Sequence, residues 1–252
     1  MPYLDRDGVR VHFEDSGGDG PPILLTHGFS ASTGMWRGQV EAFGGQYRLI
    51  RMDMRGHGES LCPLQPELYS QRHTEEDMAA ILDHLGIETA VIGGHSLGGF
   101  MSLAFHVRYP ERVRALILQG CGPGYRSDKA RAVWNEHNEI RARTLEESGL
   151  EALNGGSEVP ISVQRPAAEL AMAARGILSQ IDARVIDSLP HIAVPVLVII
   201  GDGDSDFLQG SNYMAGRIPG AINVVVPGGG HGINVDQPEA VNKALGEFLA
   251  GL

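Results

Sequence analysis

The sequence predicts an α/β chain, a mostly parallel sheet covered on both faces by helices, with a short all-helical stretch inserted into it. Three observations carry this. Apolar runs such as Ile23-Leu24-Leu25, Ala90-Val91-Ile92, Leu116-Ile117-Leu118 and Val196 to Ile200 alternate with segments of helical spacing, as in a sheet buried on both faces. From about Cys121 to Leu189 the strand pattern stops and only helical spacing continues. Between an apolar run and a helical segment stands Gly94-His95-Ser96-Leu97-Gly98, a G-x-S-x-G turn of the kind that lifts a serine hydroxyl above the carboxyl edge of a parallel sheet.

In chain order, Tyr3-Leu4-Asp5 and Val9 to Phe13 flank Asp7-Gly8 and read as a hairpin that opens the sheet. Ile23 to Thr26 is a strand ending at His27-Gly28-Phe29-Ser30, a helical stretch covers Met35 to Phe43, and Tyr47 to Met52 is the next strand. That strand runs into the turn Asp53 to Ser60. Thr74-Glu75-Glu76-Asp77 is expected to start a helix with Met78, Ile81, Leu82 and Leu85 on one face, closed by Gly86. The serine turn and its helix follow, then the strand Val113 to Leu118. In the insertion, helices are predicted for Asp128 to Leu145 and Ala167 to Ile181, separated by Asn154-Gly155-Gly156. Trp134 and Met172 are read as packing between insertion and sheet rather than as substrate contacts. Val194 to Ile200 and Ile222 to Val226 are the last strands, and Pro238 to Leu249 closes the chain as a helix. The expected organisation is therefore a core of residues 1–120 and 190–252 with a helical cap at 121–189.

Composition narrows the function classes. At 252 residues and 42% hydrophobic, the chain supports one sizeable core. A formal charge of −11 with no basic cluster repels phosphate backbones and anionic lipid, so neither nucleic acid nor a membrane surface is an expected partner. The N-terminal residues Met1 to Asp7 lack the apolar core of a secretory signal, and no apolar run approaches the ~20 residues of a membrane span. A cytoplasmic location is expected, with Cys62 and Cys121 as free thiols and no metal between them. Oligomeric state is not legible.

A serine hydroxyl becomes a nucleophile when a base takes its proton, and that base is usually a histidine oriented by a carboxylate. Functional groups of an open parallel sheet gather at the carboxyl ends of its strands. Asp202, Asp204 and Asp206 follow one late strand there and His231 follows the next. Of the ten histidines, His12, His73, His84, His106, His137 and His191 fall within or beside strands and helices and read as surface or packing residues. His27, His57 and His95 lie at the edge but precede Ser96, each in a turn with a structural explanation. His231 alone follows both the serine and the acid loop, in a glycine-rich segment. A calcium loop at 202–213 is excluded, because Phe207 stands where glycine is needed and Tyr213 where a bidentate glutamate is needed.

Four separated motifs, His27-Gly28-Phe29, Asp53-x-Arg55-Gly56-His57-Gly58-x-Ser60, Gly94-x-Ser96-x-Gly98, and Gly201-x-x-Asp204 with Gly230-His231, occur in an order that resembles the α/β-hydrolase superfamily over nearly the whole chain. The resemblance implies an α/β-hydrolase sheet with a helical cap, Asp204 as the acid of the G-x-x-D match, and an oxyanion hole built from the backbone N–H groups of Phe29 and Leu97. It also implies that epoxide opening and halide displacement are not this chain's reactions, since those relatives carry aspartate where Ser96 stands. The expected function is cofactor-free, metal-free hydrolysis of a small carboxylic ester or lactone through an acyl-enzyme on Ser96, with His231 as base. C–C bond or enol-lactone hydrolysis with the same triad is the alternative, and a non-catalytic small-ligand receptor a further one. Arg126, Arg131, Arg141, Arg143, Arg165, Arg175 and Arg184 stand in the cap, most of them among acidic residues on helices, so solvated faces are expected, and with them a preference for neutral esters of short to medium acyl chain.

Overall fold

The computed structural model describes residues 3–153 and 165–252, so the expected break at Asn154-Gly155-Gly156 lies outside the described residues. The chain runs β1 (Tyr3–Arg6), β2 (Val9–Asp15), β3 (Pro22–Thr26), α1 (Arg37–Phe43), β4 (Arg48–Met52), α2 (Gln71–His84), β5 (Ala90–His95), α3 (Leu97–Arg108) and β6 (Val113–Gln119). Next come α4 (Asp128–Ser148), α5 (Ala167–Gly176) and α6 (Arg184–Ser188). The chain ends with β7 (Val196–Gly201), α7 (Leu208–Arg217), β8 (Ile222–Val226), α8 (Ile233–Asp236) and α9 (Pro238–Leu249). The eight strands form one sheet in the order β1-β2-β4-β3-β5-β6-β7-β8. β2 is antiparallel to both neighbours and every later pair is parallel.

Each central strand buries both faces, and the alternation of side chains sorts them into two cores. Along β6, Leu116 and Leu118 join Met78, Ile81 and Leu82 of α2 and Met101 and Phe105 of α3. Ala115 and Ile117 point the other way, to Trp36 and to Val241, Leu245 and Phe248 of α9. At about 25 cal/mol per Å² of apolar surface removed from water, these two layers dominate the fold's stability. Their joint effect is to fix the carboxyl ends of β3, β5, β7 and β8 along one edge.

The turn after β4 braces that edge. Asp53 is buried and accepts the Thr33 N–H at 2.7 Å, the Glu59 N–H at 2.9 Å and a 2.7 Å bond from His12 Nδ1, while Ser60 Oγ donates to its carbonyl at 2.6 Å. Burial opposes its charge, but the His12 bond, the field of His27 and the two amides outweigh it, so the carboxyl stays below the usual range. The loop after β3 is thereby tied to the loop after β4.

Of the boundaries that differ from the sequence expectation, two have a clear local cause. α2 starts a turn earlier than Thr74, because Ser70 caps it by accepting the His73 N–H at 3.1 Å. Its acids are therefore mid-helix, where Glu76 and Asp77 pair with Arg6, and Asp77 also takes both arms of buried Arg55 at 2.7 and 2.8 Å. α5 ends at Gly176, short of Ile181. A Cβ there would lie 1.9 Å from the Tyr69 carbonyl, and beyond it the backbone turns out to receive α4: Trp134 Nε1 and Asn138 Nδ2 donate to the Leu178 carbonyl at 2.8 and 3.3 Å. α4 and α5 share a small core of Ala142, Leu145, Leu170, Ala171 and Ala174, whereas α6 packs against α3.

Candidate active site

β5 delivers Ser96 at the sheet edge in a strained backbone conformation, φ 54° and ψ −114°. Two glycines make that turn possible. A Cβ on Gly94 would lie 2.3 Å from the Gly98 backbone, and one on Gly98 would lie 2.3 Å from the Thr26 carbonyl oxygen. The Ser96 N–H is anchored on the Gln119 carbonyl at 2.8 Å, and α3 begins with the next residue.

The loops after β7 and β8 bring the acid and the histidine to it. His231 Nδ1 lies 2.7 Å from Asp204 Oδ2, and His231 Nε2 lies 3.0 Å from Ser96 Oγ. Nδ1–H must be the donor to a carboxylate, which leaves the Nε2 lone pair to accept the serine proton. The two neighbouring acids are placed otherwise. Asp202 accepts the Gly228 N–H at 2.7 Å and closes the loop, and Asp206 faces the cavity beside the histidine. Asp204 itself is buried, with its other oxygen accepting the Phe207 N–H at 3.3 Å.

Several supports of His231 escaped the sequence reading. Phe207 stacks on its ring at 4.8 Å and 20°. Buried His95 places Nε2 2.7 Å from the His231 carbonyl, and burial together with the nearby His231 pushes its pKa down to about 3, so it is neutral and Nε2–H donates. Asn234, at the start of α8, accepts from Gln119 Nε2 at 2.9 Å and donates to the Met35 carbonyl at 2.8 Å. These bonds join segments more than a hundred residues apart, so no local pattern announces them. His27 and His57 are buried below the Phe29 loop; burial lowers both, His57 to about 3.

Ser96, Leu97, His231 and Phe29 open into one cavity of about 1070 Å³, whose opposite wall is α4. The backbone N–H groups of Phe29 and Leu97 have no acceptor among the described residues. Trp134 lines the cavity as well as bonding to Leu178, so it is more than packing, and Met172 packs on the core as expected. His137, read from sequence as a bland helix residue, also lines the cavity. Among the described residues no three His, Cys, Asp or Glu side chains gather where they could hold a metal ion, and no helix is long and apolar enough to cross a membrane.

The cap arginines divide. Arg126 pairs with Asp187, Arg131 with Asp128, Arg143 with Glu139, Arg165 with Glu169, Arg175 with Glu139 and Glu146, and Arg184 with Asp182. Arg141 departs from the expectation. It lines the cavity, and it has no carboxylate partner among the described residues. The reason is helical spacing: its neighbours three and four residues away are His137, Asn138, Thr144 and Leu145, whereas Arg143 has Glu139, Glu146 and Glu147 there.

Comparison with known proteins agrees with this architecture. A Bacillus subtilis protein carrying the provisional name 2-succinyl-6-hydroxy-2,4-cyclohexadiene-1-carboxylate synthase is 30% identical over 98% of this chain and 97% of its own length. Bifunctional epoxide hydrolase 2 of Sus scrofa is 41% identical, over 45% of this chain and 20% of its own. Among solved structures, a thermophilic esterase from Thermogutta terrifontis superposes with a TM-score of 0.84 at 29% identity, covering 100% of this chain and 97% of that one. The enol-lactonase from Burkholderia xenovorans LB400 superposes at 0.80 and 25% identity, covering 99% and 100%. Residues 21–147 match the family model described as the alpha/beta hydrolase fold, and the chain belongs to that family.

Proposed function

We propose that this α/β hydrolase cleaves carboxylic esters or lactones through an acyl-enzyme on Ser96. The observation that carries the reading is the unbroken run from Asp204 through His231 to Ser96, at 2.7 and 3.0 Å. Ser96 Oγ adds to the carbonyl as its proton passes to His231 Nε2. Asp204 holds the ring in the required tautomer and stabilises the imidazolium. The Phe29 and Leu97 amides receive the oxyanion, a role supported by their position on the cavity wall and their lack of other acceptors among the described residues. His231 then returns the proton to the departing alkoxide, and water activated by the same nitrogen releases the acid and frees Ser96.

A serine at this position argues against epoxide opening, despite the relatives so named. Attack by Ser96 on an epoxide carbon would leave an ether, which offers water no carbonyl to attack, so the enzyme would stop after one event. In this reading the described residues of 121–189 act as a cap that shapes the cavity over Ser96. The test is turnover of activated esters by the wild type and by Ser96→Ala. A loss of at least roughly 10³-fold with an unchanged fold supports the reading. Esterase activity retained in Ser96→Ala, or none above free imidazole in the wild type, removes it, the second outcome favouring a ligand receptor.

A further inference from the structure

Within the proposed ester hydrolase, we infer that Arg141 is a carboxylate anchor, so that the preferred substrates are monoesters of dicarboxylic acids, with the free carboxylate at the far end of the acyl chain. The inference rests on the serine reading above, and it starts from a charge without a counter-charge among the described residues.

The guanidinium of Arg141 uses one N–H, donating from Nη1 to Asn138 Oδ1 at 2.9 Å, and its Cζ lies 5.6 Å from the centre of the Phe29 ring. Its remaining N–H groups have no acceptor among the described residues. Arg141 is exposed to water where it lines the cavity; the protein around it still lowers its pKa by burial, and no acid among the described residues offsets that. An incoming carboxylate can take two parallel bonds from the guanidinium N–H groups that Asn138 leaves unused. The six other cap arginines each pair with a carboxylate, and none of them lines the cavity.

The position of Arg141 sets which part of the substrate meets it. His231 protonates the leaving oxygen, so the alcohol portion lies against His231, Phe207 and Asp206. Asp206 makes that wall unfavourable to a second anion. Arg141 stands beside the ring of Phe29, the residue whose amide is assigned to the carbonyl oxygen, so an acyl chain that runs past that ring meets the guanidinium. Negative charge on the acyl chain is thus attracted, and on the alcohol portion repelled.

The experiment compares 4-nitrophenyl monoesters of glutaric and adipic acid with neutral 4-nitrophenyl alkanoates of equal length. It uses the wild type, Arg141→Met and Arg141→Lys. The wild type is expected to favour the monoester in kcat/KM. Arg141→Met should lower the monoester-to-alkanoate ratio by about 30-fold, mostly through KM, and Arg141→Lys should restore part of it. A ratio that stays within threefold in Arg141→Met overturns the anchor. Binding supplies a second reading that needs no turnover: calorimetric titration of adipate and hexanoate into Ser96→Ala, with and without Arg141→Met. Adipate favoured only when Arg141 is present supports the anchor even if ester turnover proves absent, which would sink the serine reading alone. Equal binding of the two acids to both proteins overturns the anchor while leaving Ser96 hydrolysis intact. Arg141→Gln serves as the replacement if Arg141→Met does not fold.

Discussion

Replacing Asp204 by asparagine separates the acid loop into its parts, because the structure says which way the new amide must turn. Asp204 accepts the Phe207 N–H on Oδ1 and meets His231 Nδ1 with Oδ2. An asparagine that keeps its oxygen on the Phe207 N–H presents its NH2 to Nδ1. That group can only donate, so Nδ1 must become the acceptor and Nε2 must carry the hydrogen. Nε2 then cannot take the Ser96 proton. Two effects add. The charge-assisted bond that stabilises the imidazolium is lost, about 1.5–3 kcal/mol, and reaching the productive tautomer leaves a buried hydrogen bond unmade, about 1–3 kcal/mol. A total near 4 kcal/mol corresponds to a fall in kcat of roughly 10³-fold. The isosteric change should leave Tm within a few degrees of the wild type. Asp202 is the internal control, since its carboxylate only closes the loop on the Gly228 N–H at 2.7 Å, and Asp202→Asn should lower activity less than about tenfold. The assay is kcat/KM on 4-nitrophenyl acetate with Tm measured alongside. The reasoning fails if Asp204→Asn stays within tenfold of the wild type, or if Asp202→Asn proves the more damaging change.

Two further outcomes follow from packing and charge. A Cβ on Gly98 meets the Thr26 carbonyl oxygen at 2.3 Å and the His27 carbonyl oxygen at 2.7 Å, both rigid backbone, so Gly98→Ala should destabilise the fold by about 3 kcal/mol and push the Phe29 loop away from Ser96. Urea unfolding would reveal this, and an unchanged midpoint would contradict it. Glu75 is buried on α2 with its carboxyl pushed up to about 7 by burial, only partly opposed by Arg108 at 3.7 Å. A carboxyl raised in the folded state is destabilising once pH passes its unfolded value, so the penalty grows as pH rises from about 4.5 through 7. Glu75→Gln should therefore add about 2 kcal/mol more stability at pH 8 than at pH 5, and equal effects at the two pH values would refute it.

What was legible in the sequence was whatever repeats over short distances. The apolar runs located all eight strands, and the glycines around Ser96 announced a turn whose crowding the structure makes explicit. His231 could be chosen by position in the chain, but the choice among Asp202, Asp204 and Asp206 needed the resemblance, because three acids on one loop differ only in where the loop points them. The start of α2 and the end of α5 were misjudged where a cap at Ser70 and a close approach to Tyr69 overrode helical spacing. Phe207 and His95 touch His231, and Asn234 ties the start of α8 to Gln119 and Met35, contacts between separate segments that spacing does not encode. Arg141 is the instructive case. Its lack of acidic neighbours at helical spacing was visible, yet the abundance of acids elsewhere on α4 drew it into a general reading of solvated charge.

The central claim is that Ser96 forms the covalent intermediate, and the direct measurement is the site of attachment of an alkyl 4-nitrophenyl phosphonate. In the proposed reading the phosphorus meets the Ser96 oxygen, 3.0 Å from His231 Nε2, and its phosphoryl oxygen the Phe29 and Leu97 amides, which have no acceptor among the described residues. Mass spectrometry of the digested protein should place a single adduct on the peptide holding Ser96, formed in step with loss of ester hydrolysis and absent in Ser96→Ala. An adduct on another residue, with Ser96→Ala still hydrolysing esters, would contradict the account.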